Sequence, residues 1–208
     1  VTRCLNGFGT ASVDRSLDVP STSVGSAAIS SASREDTGCM YSSSLSAVSC
    51  LTSSALVAGR CGCGAGAFLE QLQKQYGCCR LAGVDYSESL IEVAKHAVES
   101  TDLHVGTICD LSKWGDESFD VVTCFSVYFY LSCEEDARQA LNEAIRVCKK
   151  GGSVYIGDVS DLAKKELAME LRGDTHKNQE KLSSDSPDHL YLPQALFKEV
   201  AAEAGMVN

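Results

Sequence analysis

The sequence has no long apolar run and few cations. No uninterrupted apolar stretch approaches the roughly 20 residues that a helix needs to cross a bilayer. The 18 lysines and arginines are outnumbered by 28 aspartates and glutamates, which gives a formal net charge of −10 and a pI near 4.8. Such a chain repels nucleic-acid phosphates and anionic membrane surfaces. We therefore expect neither nucleic acid nor a membrane among its partners.

Histidine is scarce, and cysteine is not spaced for metal binding. The four histidines are scattered along the chain. Cys61-x-Cys63 and the Cys78-Cys79 doublet lack the paired spacing of a zinc site. We expect no metal.

The 11 cysteines leave at least one thiol unpaired, because their number is odd. Four of them fall in or beside apolar strand and helix patterns, which favours buried free thiols in a reducing compartment: Cys61, Cys109, Cys124 and Cys148. A cytoplasmic location is predicted. The serine-rich, arginine-containing start of the chain leaves an organellar transit remnant as the alternative.

The composition predicts two regions. Residues 1–50 are rich in serine and poor in large apolar side chains, which is typical of a poorly ordered leader. Residues 51–208 form the candidate domain, and a chain of 208 residues that is 44% apolar can bury one good core. A short helix is predicted near residues 41–50, and the polar run 172–187 is predicted to be a mobile loop that can act as a lid.

Strand and helix patterns alternate regularly from residue 55. The predicted strands are 55–61, 80–85, 103–108, 119–125 and 152–158, and the predicted helices are 66–76, 88–99, 134–148 and 194–204. Repeated right-handed crossovers of this kind give an α/β fold, a Rossmann-like doubly wound, mainly parallel sheet. Its ligands bind at the carboxyl ends of the strands.

A glycine-rich turn, Gly62-Cys63-Gly64-Ala65-Gly66, follows the first of these strands. Three positions without Cβ let a ligand lie against the backbone and the first amides of the next helix. Asp85 ends the second strand and is placed to accept hydrogen bonds from ribose hydroxyls. The pattern predicts a nucleotide-like cofactor.

Two cofactor classes use this geometry. Gly62-x-Gly64-x-x-Ala67 satisfies the dinucleotide fingerprint of an NAD(P)-dependent oxidoreductase. A dinucleotide usually finds basic groups near its phosphates, but Arg60 is the one cation at the turn. S-adenosylmethionine carries a sulfonium, an ammonium and one carboxylate, so it tolerates an acidic pocket. The composition of the turn favours S-adenosylmethionine.

The chain resembles the class I S-adenosylmethionine-dependent methyltransferases of the small-molecule type. Six segments carry the resemblance in the family's order: Gly62-Cys63-Gly64-Ala65-Gly66, Val84-Asp85-Tyr86-Ser87, Cys109-Asp110-Leu111, Ser118-Phe119-Asp120-Val121-Val122, Phe125 to Leu131, and Arg146 to Gly152. The resemblance implies methyl transfer to an unidentified, small-molecule acceptor. In the family the sheet finishes with an antiparallel pair after the last helix, so those carboxyl-terminal strands are expected to be truncated here. The oligomeric state stays open.

The resemblance also implies residue roles. For the cofactor they are the turn residues Gly62, Cys63, Gly64 and Gly66 at the methionyl part, Asp85 at the ribose, Tyr86 against the adenine face, Asp110 at the adenine amine, the Leu111 amide at a ring nitrogen, and the Ser126 backbone at the methionyl end. For the acceptor they are Tyr128, Tyr130 and Asp158. Methyl transfer from a sulfonium is an in-line displacement in which a general base is optional. No catalytic residue is therefore assigned.

Two residues depart from the family pattern. Arg60 stands where the family has an acid that helps to hold the cofactor's ammonium, and Lys150 replaces a proline before Gly151-Gly152. A cation at position 60 should repel the ammonium. An active enzyme is favoured, and a degenerate methyltransferase fold acting as a non-catalytic binding or scaffold module is the alternative.

Overall fold

The computed structural model describes residues 9–14, 57–76, 80–176 and 189–206. Within these ranges the strands are β1 (Gly9–Asp14), β2 (Val57–Cys61), β3 (Arg80–Asp85), β4 (Asp102–Val105), β5 (Phe119–Phe125) and β6 (Cys148–Val159). The helices are α1 (Ala67–Tyr76), α2 (Glu88–Ala97), α3 (Glu134–Val147), α4 (Lys165–His176) and α5 (Gln194–Glu203). Short 3-10 turns cover Tyr128–Tyr130 and Leu162–Lys164.

The strands form one sheet in the order β1-β6-β5-β2-β3-β4. Strands β2 to β6 are parallel, and β1 is antiparallel to β6. Because the chain moves from β2 outward to β4 and then returns to the other side of β2 with β5, a crevice opens between the loops that follow β2 and β5. The predicted doubly wound, mainly parallel α/β fold is confirmed.

Strand β1 was not predicted from the sequence. It lies within residues 1–50, and its backbone pairs Val13 with Val154 and Asp14 with Ser153 of β6. The antiparallel strand beside β6 therefore comes from the amino-terminal region, where the family was expected to use a carboxyl-terminal one. The predicted helix near 41–50 lies outside the described residues.

Helix α3 shows how the core forms against the sheet. Its apolar positions repeat at helical spacing, and Ala137, Leu141 and Ala144 are each at most 1% exposed. This face packs on the sheet and on α5, whose Leu196 and Val200 are buried. The opposite face is charged, as expected for a surface helix.

The structure corrects one predicted loop. Helix α4 continues to His176, so the run predicted as a loop from residue 172 begins as helix. The segment Lys165-Glu166-Leu167-Ala168-Met169-Glu170-Leu171-Arg172 consists of strong helix formers, whose summed propensity carries the helix past the point where polar residues begin. Residues 177–188 lie outside the described part.

All six cysteines that the structure describes are free thiols. Cys61, Cys124 and Cys148 are buried, and Cys109 is half-buried. None of the helices in the described ranges combines the length and the apolar character that a membrane span requires.

Candidate functional site

A cavity of about 1160 Å³ lies at the carboxyl ends of β2, β3, β4 and β5. This is the edge of a doubly wound sheet at which ligands bind. Its walls come from the glycine turn, the loops after β3, β4 and β5, and the first turn of α3.

The glycine turn is held by β3. The amides of Gly62 and Cys63 both donate to the Val84 carbonyl oxygen, at 2.9 and 3.0 Å. Gly62, Gly64 and Gly66 have φ values of +69°, +52° and +85°. A Cβ on Gly62 would come within 2.2 Å of Val127, whereas one on Gly64 would meet nothing within 4 Å. The turn thus keeps its backbone open at Gly64 and tightly packed at Gly62.

The structure brings Gly62, Cys63 and Gly64 to the cavity wall but not Gly66. A Cβ on Gly66 would lie 3.1 Å from Ala94 and Val98 at the back of the turn. Gly66 therefore lets α1 approach α2, and it lies outside the cavity wall.

Asp85 is fixed between the turn and α2. Its Oδ2 accepts from the Gly64 amide at 2.8 Å and its Oδ1 accepts from the Ser87 amide at 3.0 Å. The Ser87 side chain caps α2 by accepting from the Leu90 amide. Asp85 is 8% exposed and lines the cavity, so the remaining lone pairs of a positioned carboxylate are available to a ligand. Tyr86, which is 80% exposed, lies beside it on the cavity wall.

The loop after β4 differs from the prediction. Strand β4 ends at Val105, and the cavity is lined by residues 106–109. Asp110 lies outside this lining, and its Oδ1 accepts from the Ser112 amide at 3.0 Å. Hydrogen bonding from the Ser112 side chain, and to a smaller extent from this amide, lowers the pKa of the Asp110 carboxyl. Leu111 is buried, and its amide donates to Glu143 Oε2 at 2.7 Å. The roles assigned to Asp110 and Leu111 are therefore not supported by their positions.

Asp110 and Leu111 lie outside the cavity wall because β4 is shorter than the sequence pattern predicted. The sequence pattern extended the strand to residue 108, which placed the strand-end residues three positions too late. Thr107 and Ile108 occupy the wall instead. Gly106, which follows directly after Val105, is the sequence signal that could have predicted the end of the strand.

Arg60, the penultimate residue of β2, lies at the wall of the cavity and is 9% exposed. Its Nη2 donates to the Phe125 carbonyl oxygen at 3.3 Å, and its guanidinium lies 4.8 Å from the Phe68 ring centroid and 5.8 Å from that of Phe125. These contacts seat a cation between two aromatic rings.

The thiols next to Arg60 are not nucleophiles. Burial raises the pKa of Cys61 and of Cys63 to about 12, although the charge of Arg60 acts in the opposite direction. Both thiols are therefore protonated at neutral pH.

Ser126 and Asp158 form a pair across the ends of β5 and β6. The Ser126 hydroxyl lies 2.6 Å from Asp158 Oδ2, and both residues have left-handed backbones, with φ of +59° and +54°. Two strained residues that hold each other are characteristic of functional sites. Ser126 lines the cavity, and the structure places Asp158 behind it rather than in the wall.

The two tyrosines of the 3-10 turn, Tyr128 and Tyr130, have different environments. Tyr128 is 1% exposed and packs edge-on against Phe197, with ring centroids 5.4 Å apart. Burial raises the pKa of its hydroxyl well above the ordinary value. Tyr128 is therefore not part of the cavity wall, because residues two apart on a 3-10 turn point in different directions. Tyr130 is 62% exposed and lines the cavity beside Phe129.

Sequence reasoning missed the first turn of α3 and the residues just before it. Leu131 and Ser132 precede the helix, Asp136 lies in its first turn, and all three line the cavity. The signal was available, since a helix that follows β5 begins at the edge of the sheet that carries the glycine turn.

Comparison with known proteins agrees with this geometry. Residues 60–156 match the methyltransferase domain family. Over 95 residues the chain is 32% identical to a dTDP-4-amino-2,3,4,6-tetradeoxy-D-glucose N,N-dimethyltransferase of Saccharopolyspora spinosa, which covers 45% of this chain and 36% of that protein. Over 102 residues it is 29% identical to a ubiquinone biosynthesis O-methyltransferase of Coxiella burnetii, which covers 48% of this chain and 42% of that protein. The chain thus spans less than half the length of these relatives.

The fold has relatives among solved structures. The sugar N-methyltransferase KedS8 from Streptoalloteichus aligns with a TM-score of 0.54 at 21% identity, over 71% of this chain and 61% of that one. At this identity the likeness concerns the fold. Together with the domain match, it shows that residues 60–156 are similar to the methyltransferase domain family and that the chain shares the fold of solved methyltransferases.

Proposed function

We propose that the protein binds S-adenosylmethionine and transfers its methyl group to a small-molecule acceptor. The observation that carries the proposal is Asp85, a buried carboxylate that two backbone amides hold at the cavity wall beside a glycine turn. A carboxylate at the end of the second strand of such a unit binds ribose hydroxyls. The domain match from residue 60 to residue 156 supports the same cofactor.

The residues present fit this cofactor. Asp85 would accept from the ribose, Tyr86 and Ile108 would flank the base, and the backbone at Gly62 to Gly64 would approach the amino-acid end. When bound, the cofactor supplies a methyl group on a sulfonium that is already activated for displacement. The protein's task is to align donor and acceptor and to keep water out, which can supply much of the rate.

A small acceptor fits the cavity and the charge of the chain. The cavity of about 1160 Å³ leaves room beside a cofactor, and Tyr130 offers an aromatic rim. The relatives named above act on an amino sugar and in ubiquinone biosynthesis, both small-molecule chemistry. The net charge of −10 disfavours a nucleic-acid acceptor.

Calorimetric titration tests the cofactor. We expect S-adenosylhomocysteine to bind and NAD to fail. Asp85→Ala should weaken the binding of S-adenosylhomocysteine by about 1–3 kcal/mol, because it removes charge-assisted hydrogen bonds to the ribose. Asp110→Ala, whose carboxylate lies outside the cavity, is the matched control. Binding of NAD without a response to S-adenosylhomocysteine contradicts the proposal.

The second candidate is a binding or scaffold module, and Arg60 is the observation that favours it. A buried cation lines the cavity near the turn where the cofactor's ammonium would lie. Incubation of the protein with methyl-labelled cofactor and pools of small amines and phenols separates the two functions. Label transfer supports the enzyme, and cofactor binding without transfer to any pool supports the scaffold.

A further inference from the structure

We propose that Asp136, in the first turn of α3, accepts the hydrogen bond of the cofactor's exocyclic adenine amine. This inference rests on the proposed function and adds the residue that selects the base. It moves base recognition from the loop after β4, where the sequence placed it at Asp110, to a helix on the other side of the cavity.

The order of the strands locates the base. The cavity runs from the glycine turn after β2, past Asp85 at the end of β3, to residues 106–109 after β4. The Gly106 amide donates to the Asp85 carbonyl oxygen at 2.9 Å, so this loop adjoins the ribose position. A ligand with its ribose at Asp85 and its amino-acid end at the turn therefore presents its base to residues 106–109.

Helix α3 lies against the same loop. The Cys109 thiol donates to the Asp136 carbonyl oxygen at 3.4 Å, and Gln139 Nε2 donates to the Cys109 carbonyl oxygen at 2.8 Å. These two contacts, about one helical turn apart on α3, bring the start of the helix to the base end of the cavity. Asp136 is half-buried and lines the wall there.

The groups at this end match the edge of adenine. Within the described ranges, no donor hydrogen-bonds to the Asp136 carboxylate, and no acceptor engages the Ile108 amide. Adenine presents an amine donor beside a ring-nitrogen acceptor, which complements a carboxylate beside an amide. Asp110 lies outside the wall.

Titration with two ligands that differ only at the N1 and C6 edge of the purine tests the assignment. S-adenosylhomocysteine carries an amine at position 6 of the purine, and S-inosylhomocysteine carries an oxygen there. We expect the unaltered protein to prefer the adenosyl ligand. Asp136→Asn should reduce that preference about tenfold, because an amide can also donate to the inosyl oxygen. Asp110→Asn should leave the preference within about twofold.

The ratio of the two affinities compares ligands on the same protein, so partial loss of folded protein does not change it. Asp136→Ser provides a second variant with the same expected direction. An unchanged ratio in both Asp136 variants, or a larger change in Asp110→Asn, overturns the inference while leaving the proposed function intact. Failure of the unaltered protein to bind S-adenosylhomocysteine contradicts the proposed function itself.

Discussion

At the scale of single residues, the charge at position 60 affects how well the cavity suits the proposed cofactor. The Arg60 guanidinium is 9% exposed and lies between the Phe68 and Phe125 rings. Burial strengthens its interaction with any charge that enters the cavity, because less water screens it. If a ligand carries both an ammonium and a carboxylate, the guanidinium repels its ammonium and attracts its carboxylate. The methyltransferase family has an acid at this position, which implies that the ammonium is the group nearer to position 60.

We expect Arg60→Gln to tighten S-adenosylhomocysteine binding about fivefold, or about 1 kcal/mol, as for a partly solvated charge pair. Binding of 5′-methylthioadenosine, which has neither ammonium nor carboxylate, should stay unchanged. Both affinities are measured by calorimetry, with the exposed Lys150→Gln as the control. Weaker binding of S-adenosylhomocysteine would show instead that Arg60 attracts the carboxylate.

At the scale of elements, Glu143 of α3 fixes the loop that follows β4. Its carboxylate receives Arg146 Nε at 2.6 Å, Arg146 Nη2 at 2.8 Å and the Leu111 amide at 2.7 Å. Arg146 also donates to the Trp114 carbonyl oxygen at 3.1 Å and to Asp116 Oδ1 at 2.8 Å. Residues 111–116 are thereby tied to the helix that carries Asp136.

The network predicts a pH dependence of stability. The hydrogen bonds from Arg146, with a smaller contribution from the Leu111 amide, lower the pKa of Glu143 below 4.5 in the folded protein. A lowered carboxyl pKa stabilises the fold above the unfolded value, and that stabilisation is lost as the pH falls through the folded pKa. Glu143→Gln should therefore reduce the free energy of unfolding at pH 7 and flatten its decline below pH 4.5.

Urea unfolding at pH 7 and at several values below pH 4.5 measures this effect. The exposed Glu203→Gln, on α5, serves as the control and should leave the slope unchanged. Equal slopes for the unaltered protein and Glu143→Gln would contradict the role given to Glu143.

The sequence predicted the elements of the parallel sheet well, because helices of clear amphipathic spacing follow β2, β3 and β5. The prediction from sequence was wrong where the local pattern of residues suits more than one structure. Val105, Thr107 and Ile108 are β-branched residues that suit a strand, so the pattern did not reveal that β4 ends at Val105. The burial of Tyr128 depends on Phe197, which is distant in the sequence. Asp85 and Asp136 line the cavity whereas Asp110 and Asp158 do not, so the position of an aspartate relative to the strand ends determines whether it reaches the cavity.

At the scale of the whole molecule, β1 covers an edge of the sheet. Without β1, the backbone of β6 would present unpaired amides and carbonyls to solvent, and such an edge is a template for association. The register joins Ala11 to Ile156 and Val13 to Val154, so the protection reaches the middle of β6.

Deletion of residues 1–14 should therefore lower the free energy of unfolding and promote self-association. Sedimentation velocity across a concentration series measures the association. Deletion of residues 1–8 alone, which spares β1, is the matched control. Equal sedimentation of the two truncated chains would contradict a protective role for β1.

The pair formed by Ser126 and Asp158 changes how mutagenesis of this site must be interpreted. Both residues hold φ values that favour glycine, so alanine at either position keeps the backbone strain while removing the hydrogen bond that offsets it. Glycine removes the same bond and relieves the strain. An alanine scan will therefore overstate the importance of these two side chains, and glycine is the reference residue against which the serine hydroxyl and the aspartate carboxylate should be compared.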